Sequence, residues 1–138
     1  MTAAAPLPIT ILNGFLGAGK TTLLHSLLMQ ARERDDVRLG IIVNEMSALD
    51  VDSRVLGTTE ALSTQDDLFA SIPAGSISGA QGLAQFKQAV QTFRRASATH
   101  IIIETSGSAH PWPLLETIRT FKPVRLHGFL SIVDTVTL

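Results

Sequence analysis

Short apolar runs alternate along the chain with longer segments in which apolar residues recur at helical spacing. The short runs predict strands over residues 8–12, 39–43, 68–72, 100–104 and 126–133. The helical spacing predicts helices over residues 20–31, 82–96 and 114–120, the second with Leu83, Phe86, Val90 and Phe93 on its apolar face. Strands that alternate with helices indicate an α/β fold, with a mostly parallel sheet flanked by helices.

Residues 46–67 interrupt this alternation, because they contain little hydrophobic periodicity and many small polar residues. They predict a long loop after the second strand. Long loops in compact domains tend to carry function, so this segment is a candidate functional region.

Composition narrows the class of protein. The 138 residues are 45% hydrophobic and 17% charged with a net charge of -1, which is typical of one packed domain without a strong field for nucleic acid or anionic membranes. The apolar N-terminus lacks basic residues and contains Pro6 and Pro8, which argues against a signal peptide and for a cytoplasmic protein. The absence of cysteine excludes a disulfide framework, a thiolate zinc site and a cysteine nucleophile.

A phosphate-binding motif lies between the first predicted strand and the first predicted helix. Residues 14–21 read GFLGAGKT and match the pattern GxxxxGK[ST]. The glycines let successive backbone N–H groups face one anion, and the helix N-terminus adds partial positive charge. Lys20 would then reach the β- and γ-phosphates, and the Thr21 hydroxyl would coordinate Mg²⁺. The motif therefore predicts a site for a nucleoside triphosphate and magnesium.

Polar residues at the ends of two other predicted strands extend this site. Glu104 ends the run HIIIE, and an acid there is expected at the carboxyl edge of the sheet as a Mg²⁺ ligand. Gly107 would offer its backbone N–H to the γ-phosphate.

Asn44 and Glu45 end the second strand and lead into the long loop as a candidate switch. Glu45 and Asp52 are candidate general bases, although a solvated loop carboxylate is an equal alternative for Asp52.

Three segments together resemble the CobW-like GTPases, the metal-handling relatives of the urease and hydrogenase maturation GTPases. They are GFLGAGKTTLL, NE followed by Asp52, and IIIETSG with Pro111. The resemblance covers residues 9–134 and implies a SIMIBI-type P-loop NTPase fold, GTP as the nucleotide, GTP hydrolysis with Mg²⁺, and a metalloprotein client. The phosphate-binding residues that it implies are Gly14, Gly17, Ala18, Gly19, Lys20, Thr21 and Thr22, with Glu104 and Gly107 in the second nucleotide-binding motif.

The chain departs from the family pattern in two places. Where the family has Cys-x-Cys-Cys after a glycine, this chain has Ser76, Ser78 and Gly79 after Gly75. It therefore lacks the thiolates on which high-affinity metal transfer of the family type depends. The guanine-selecting NKxD motif is also absent, and the sequence ends at Leu138. The resemblance thus implies an N-terminal portion of the family's proteins, incomplete at its C-terminus and without their second domain. The guanine preference rests on the resemblance alone.

Three functions remain open on the residues. The first is a Mg²⁺-dependent GTPase in which Lys20 and the metal neutralise charge and a water attacks the γ-phosphate. The second is a degenerate nucleotide-binding interaction module without metal transfer or hydrolysis. The third is an ATP-dependent small-molecule kinase, for which the sequence carries no acceptor-site signature.

The remaining candidate ligands fit no site. The four histidines lack ligand-like spacing and are expected at the surface or with satisfied hydrogen bonds; they are His25, His100, His127 and His110, the last near the presumed phosphate end. Trp112 lies between two prolines and is expected to be a packing anchor rather than a platform for the base.

Overall fold

The computed structural model describes residues 5–14, 20–44, 68–72, 80–106 and 112–133. These residues form five strands and three helices. In chain order they are β1 (Leu7–Gly14), α1 (Lys20–Arg32), β2 (Leu39–Asn44), β3 (Leu68–Ile72), α2 (Ala80–Arg95), β4 (His100–Ser106), α3 (Trp112–Thr120) and β5 (Val124–Ile132).

The five strands form one sheet in the order β3-β2-β4-β1-β5, and every described pair is parallel. The two central strands, β4 and β1, pair from Ile9 with Ile101 to Gly14 with Ser106. Pairing of β1 with β5 shifts by one residue at His127. All five strands therefore end at the same edge of the sheet, which we call the carboxyl edge.

Helices cover both faces of the sheet. One face carries Leu12, Ile41, Val43 and Ile102, and these pack with Leu24 and Leu28 of α1. The opposite face carries the larger core, in which strand residues such as Ile11 and Ile103 pack with residues of α2 and α3. Because side chains alternate along a strand, each strand of the sheet centre buries apolar residues on both faces. This explains why the strands appear in the sequence as continuous apolar runs.

The predicted elements are confirmed with small differences at their ends. β1 and β4 continue beyond their apolar runs, through Gly14 and Ser106, because backbone pairing extends to those residues. In α2 the residues Phe86, Val90 and Phe93 are buried as predicted, whereas Leu83 is half-buried and Gly82 is buried. The predicted long loop at residues 46–67 lies outside the described residues. Within the described part of the chain, no helix is both long and apolar enough to cross a membrane.

Candidate nucleotide-binding site

The chain leaves the carboxyl edge in opposite directions from β1 and β4. From β1 it continues into α1 on one face of the sheet, and from β4 it continues into α3 on the other face. β1 and β4 are neighbours, and we call the part of the carboxyl edge between their ends the crevice. In open parallel sheets, ligands bind at such a topological switch point.

The phosphate-binding motif begins and ends beside this crevice. Gly14 is the last residue of β1, and Lys20 is the first residue of α1, followed by Thr21 in the same first turn. The first turn of α1 directs its unpaired backbone N–H groups toward this edge, where they favour an anion. Thr22 also lies in this turn and is exposed. Residues 15–19 and the side chains of Lys20 and Thr21 lie outside the described part of the structure.

Glu104 lies at the same edge and on the face of the sheet that α1 covers. It pairs in register with Leu12 on β1 and with Val43 on β2, and both of these belong to the core beneath α1. Glu104 is half-buried. Glu104 therefore occupies a position that is apolar on both neighbouring strands. It lies close to the carboxyl edge, on the face of the sheet from which α1 begins.

A hydrogen bond that the sequence did not reveal crosses the crevice. The Thr105 hydroxyl donates to Asn13 Oδ1 over 2.9 Å, and the two residues are direct partners in the pairing of β1 with β4. Thr105 is 5% exposed and is the one buried polar residue among those described. The sequence contains only a weak signal for this bond. Asn13 and Thr105 each lie two residues after a buried isoleucine, Ile11 and Ile103, and therefore on the same face of the sheet.

Several predicted site residues lie outside the described part of the chain. These are Gly17, Ala18, Gly19, Glu45, Asp52 and Gly107, together with Ser76, Ser78, Gly79 and His110. Asn44, which precedes Glu45, ends β2 at the carboxyl edge. The structure thus brings Gly14, Lys20 and Glu104 to one edge of the sheet.

None of the described histidines lies at the carboxyl end of a strand. His100 begins β4 at the opposite edge of the sheet, and its Nδ1 lies 2.9 Å from Thr99 Oγ1. His25 is exposed on α1, and His127 lies in the first half of β5. Among the described residues, no group of His, Asp and Glu is arranged to hold a metal ion.

Trp112 corrects one expectation from the sequence. It was expected to anchor packing, but it is 61% exposed at the start of α3. The core contacts of this helix are made instead by Leu114 and Ile118, which are both 1% exposed. Trp112 is the first residue of a helix whose buried face begins at Leu114, and this position leaves its ring largely in solvent.

The fold and the site together define a class. An all-parallel α/β sheet, a GxxxxGK[ST] segment between β1 and α1, and an acid at the end of the adjacent strand are the features of a P-loop NTPase domain.

Comparison with known proteins gives the family within this class. The model of the CobW/HypB/UreG nucleotide-binding domain matches residues 8–138, and the chain belongs to this family. It is 35% identical to a zinc chaperone CobW of a Sinorhizobium species over 137 residues, which cover 96% of this chain and 38% of that protein. It is 30% identical to a zinc-regulated GTPase metalloprotein activator 1 of Dictyostelium discoideum over 123 residues, which cover 84% and 25%. The chain thus spans about a third of the length of such relatives.

Proposed function

We propose that this protein binds GTP with Mg²⁺, hydrolyses it, and uses the cycle in the handling of a metal for a metalloprotein client. The observation that carries the proposal is the convergence of Gly14, the start of α1 at Lys20, and Glu104 at one switch point. Membership of a nucleotide-binding family supports the same assignment. Guanine and metal handling are inferred from the relatives' names, which include a zinc-regulated GTPase and zinc chaperones.

In this proposal the segment from Gly14 to Thr22 holds the phosphates. The backbone N–H groups of Gly17, Ala18 and Gly19 face the phosphate oxygens, and the N-terminus of α1 adds its partial positive charge. Lys20 places its ammonium group on the β- and γ-phosphates.

Gly107, beyond the end of β4, donates its N–H to the γ-phosphate and distinguishes a triphosphate from a diphosphate.

The acid at the end of β4 fits a magnesium site. Mg²⁺ prefers hard oxygen ligands and binds through one or two protein groups together with phosphates and water. Glu104 supplies a carboxylate on the face from which α1 begins, and Thr21 in the first turn of α1 supplies a hydroxyl. When bound, Mg²⁺ would neutralise charge on the β- and γ-phosphate oxygens.

Hydrolysis in this site consists of attack by water on the γ-phosphorus. A bond forms from the water oxygen to phosphorus, and the bond from phosphorus to the β–γ bridging oxygen breaks. Lys20 stabilises the charge that develops on the transferred group. Glu45 and Asp52 are the candidates for accepting the water proton. Glu45 directly follows Asn44, which ends β2 at the carboxyl edge next to β4, and this supports its assignment to a switch segment near the site.

Two measurements test the proposal, each made with GTP and with ATP, with and without Mg²⁺. Calorimetric titration measures binding, and an assay of phosphate release measures hydrolysis. We expect binding of GTP in preference to ATP, and phosphate release that requires Mg²⁺. Lys20→Ala should abolish hydrolysis, whereas Lys122→Ala, at an exposed lysine in the turn before β5, should leave it intact. Glu104→Gln should raise the Mg²⁺ concentration that hydrolysis requires and retain the fold.

The other outcomes identify the alternative functions. GTP binding without turnover would favour the interaction module, because the site would then hold nucleotide without activating water. A preference for ATP would overturn the guanine assignment and reopen the kinase alternative.

A further inference from the structure

The hydrogen bond between Thr105 and Asn13 lies between the two segments that hold the phosphates in the proposed function. Asn13 directly precedes Gly14, where the phosphate-binding segment begins. Thr105 directly follows Glu104 and is two residues before Gly107. The bond joins the side chains of paired residues on β1 and β4, so it ties the two strand ends together at the carboxyl edge.

Stability alone does not account for this polar pair. A neutral hydrogen bond contributes little net free energy of folding, and a matched pair of apolar side chains often serves as well in a core. The same face of β1 carries Ile9 and Ile11, both fully buried, and Asn is unfavourable in strands. Buried polar pairs are instead suited to defining one arrangement, because leaving either partner unpaired is costly.

We propose that Asn13 and Thr105 are positioning residues that hold the phosphate-binding segment and the γ-phosphate loop in register. This inference rests on the proposed function. In the proposed function, the backbone of the segment after Gly14 contacts phosphates that GDP and GTP share and only its Lys20 also reaches the γ-phosphate, whereas Gly107 contacts the γ-phosphate alone. Loss of the bond would therefore leave GDP affinity intact and weaken the additional contact that GTP makes. The pair determines selectivity for the triphosphate over the diphosphate.

Thr105→Val tests this inference because it removes the hydroxyl and keeps the shape of the side chain. We expect the ratio of GTP affinity to GDP affinity, measured with Mg²⁺ by titration of the purified protein, to fall about fivefold, the loss of one neutral hydrogen bond. Thr105→Ser, which keeps the hydroxyl, should restore the ratio. Asn13→Ala should lower the ratio similarly, and the double variant should be no worse than either single variant.

A control separates positioning from general destabilisation. Ile118→Val removes one methylene group from a fully buried site on α3 and should lower the melting temperature without changing the ratio. An unchanged ratio in a folded Thr105→Val variant, with GTP still bound, would overturn the positioning role alone. If the natural protein binds neither nucleotide, the proposed function fails and the positioning role fails with it.

Discussion

At the scale of single residues, His100 is exposed at the start of β4, but its imidazole is partly desolvated and has a positively charged neighbourhood. Burial lowers the pKa of its imidazole below the ordinary value of 6.5, and the positive charges nearby lower it further. Those groups are His127, Arg125 and Arg34, while Asp36 acts in the opposite direction. The folded protein therefore binds a proton at His100 less readily than the unfolded chain does.

The consequence is a loss of stability in acid. As the pH falls below about 6.5, the unfolded chain takes up the proton first, so the free energy of unfolding decreases until the folded pKa is passed. We expect His100→Gln to flatten this pH dependence, measured by urea unfolding across a series of pH values. His25→Gln, at an exposed histidine on α1, controls for the exchange itself. A His100→Gln profile as steep as that of the natural protein would contradict the prediction.

At the scale of elements, the close approach of α2 to β2 depends on a glycine. A Cβ atom at Gly40 would contact Phe93 Cδ2 and would lie 2.9 Å from Phe93 Cε2. The Phe93 ring is 2% exposed, so displacing it would disturb its packing in the core. The ring of Phe93 therefore occupies the space that any larger residue at position 40 would need.

Gly40→Ala is expected to lower the free energy of unfolding by about 1–3 kcal/mol, the cost of an overpacked core. Gly128→Ala in β5 is the matched control, because its Cβ would find the nearest side-chain atoms of Thr10 at 3.8 Å. Chemical denaturation of the two variants measures the difference. Equal stability of both variants would mean that α2 shifts to accommodate the methyl group at no cost.

The elements themselves could be predicted from the sequence because each depends on a local pattern. The run HIIIE marks β4, since a strand buried on both faces needs consecutive apolar residues. What the sequence could not supply were contacts between distant segments. Asn13 and Thr105 are 92 residues apart, and nothing local to either residue identifies the other as its partner. The exposure of Trp112 likewise depends on which side of α3 faces the sheet.

At the scale of the whole molecule, the strand order creates the site. β1 and β4 are far apart in sequence and adjacent in the sheet, and this adjacency brings Glu104 beside the phosphate-binding segment. The motif in residues 14–21 predicted the kind of ligand, but neither hydrophobic periodicity nor composition predicts which strands are neighbours. Strand β5, at one end of the described sheet, has exposed Leu126, Phe129 and Leu130, unlike the covered strands of the sheet centre.

The proposed role in metal handling also belongs to this scale, because the chain matches a nucleotide-binding family and contains no cysteine. The zinc chaperones that it resembles are named for a metal, whereas Ser76, Ser78 and Gly79 offer no thiolate. Neutral hydroxyls bind zinc weakly. We therefore expect these 138 residues to bind zinc with a Kd weaker than about 1 μM, measured by competition with a fluorescent chelator.

A gain of function tests the reason for this weakness. The variant Ser76→Cys/Ser78→Cys/Gly79→Cys should bind zinc more tightly than the natural chain, because it supplies three thiolates within four positions. A control variant carries the same number of thiols at exposed positions on α1, on α2 and in the turn before β5. This variant, Ser26→Cys/Gln88→Cys/Lys122→Cys, should bind zinc weakly. Tight zinc binding by the natural chain would show that other oxygen or imidazole ligands replace the thiolates. Equal gains in both variants would show that thiol number, and not the position of residues 76–79, determines the affinity.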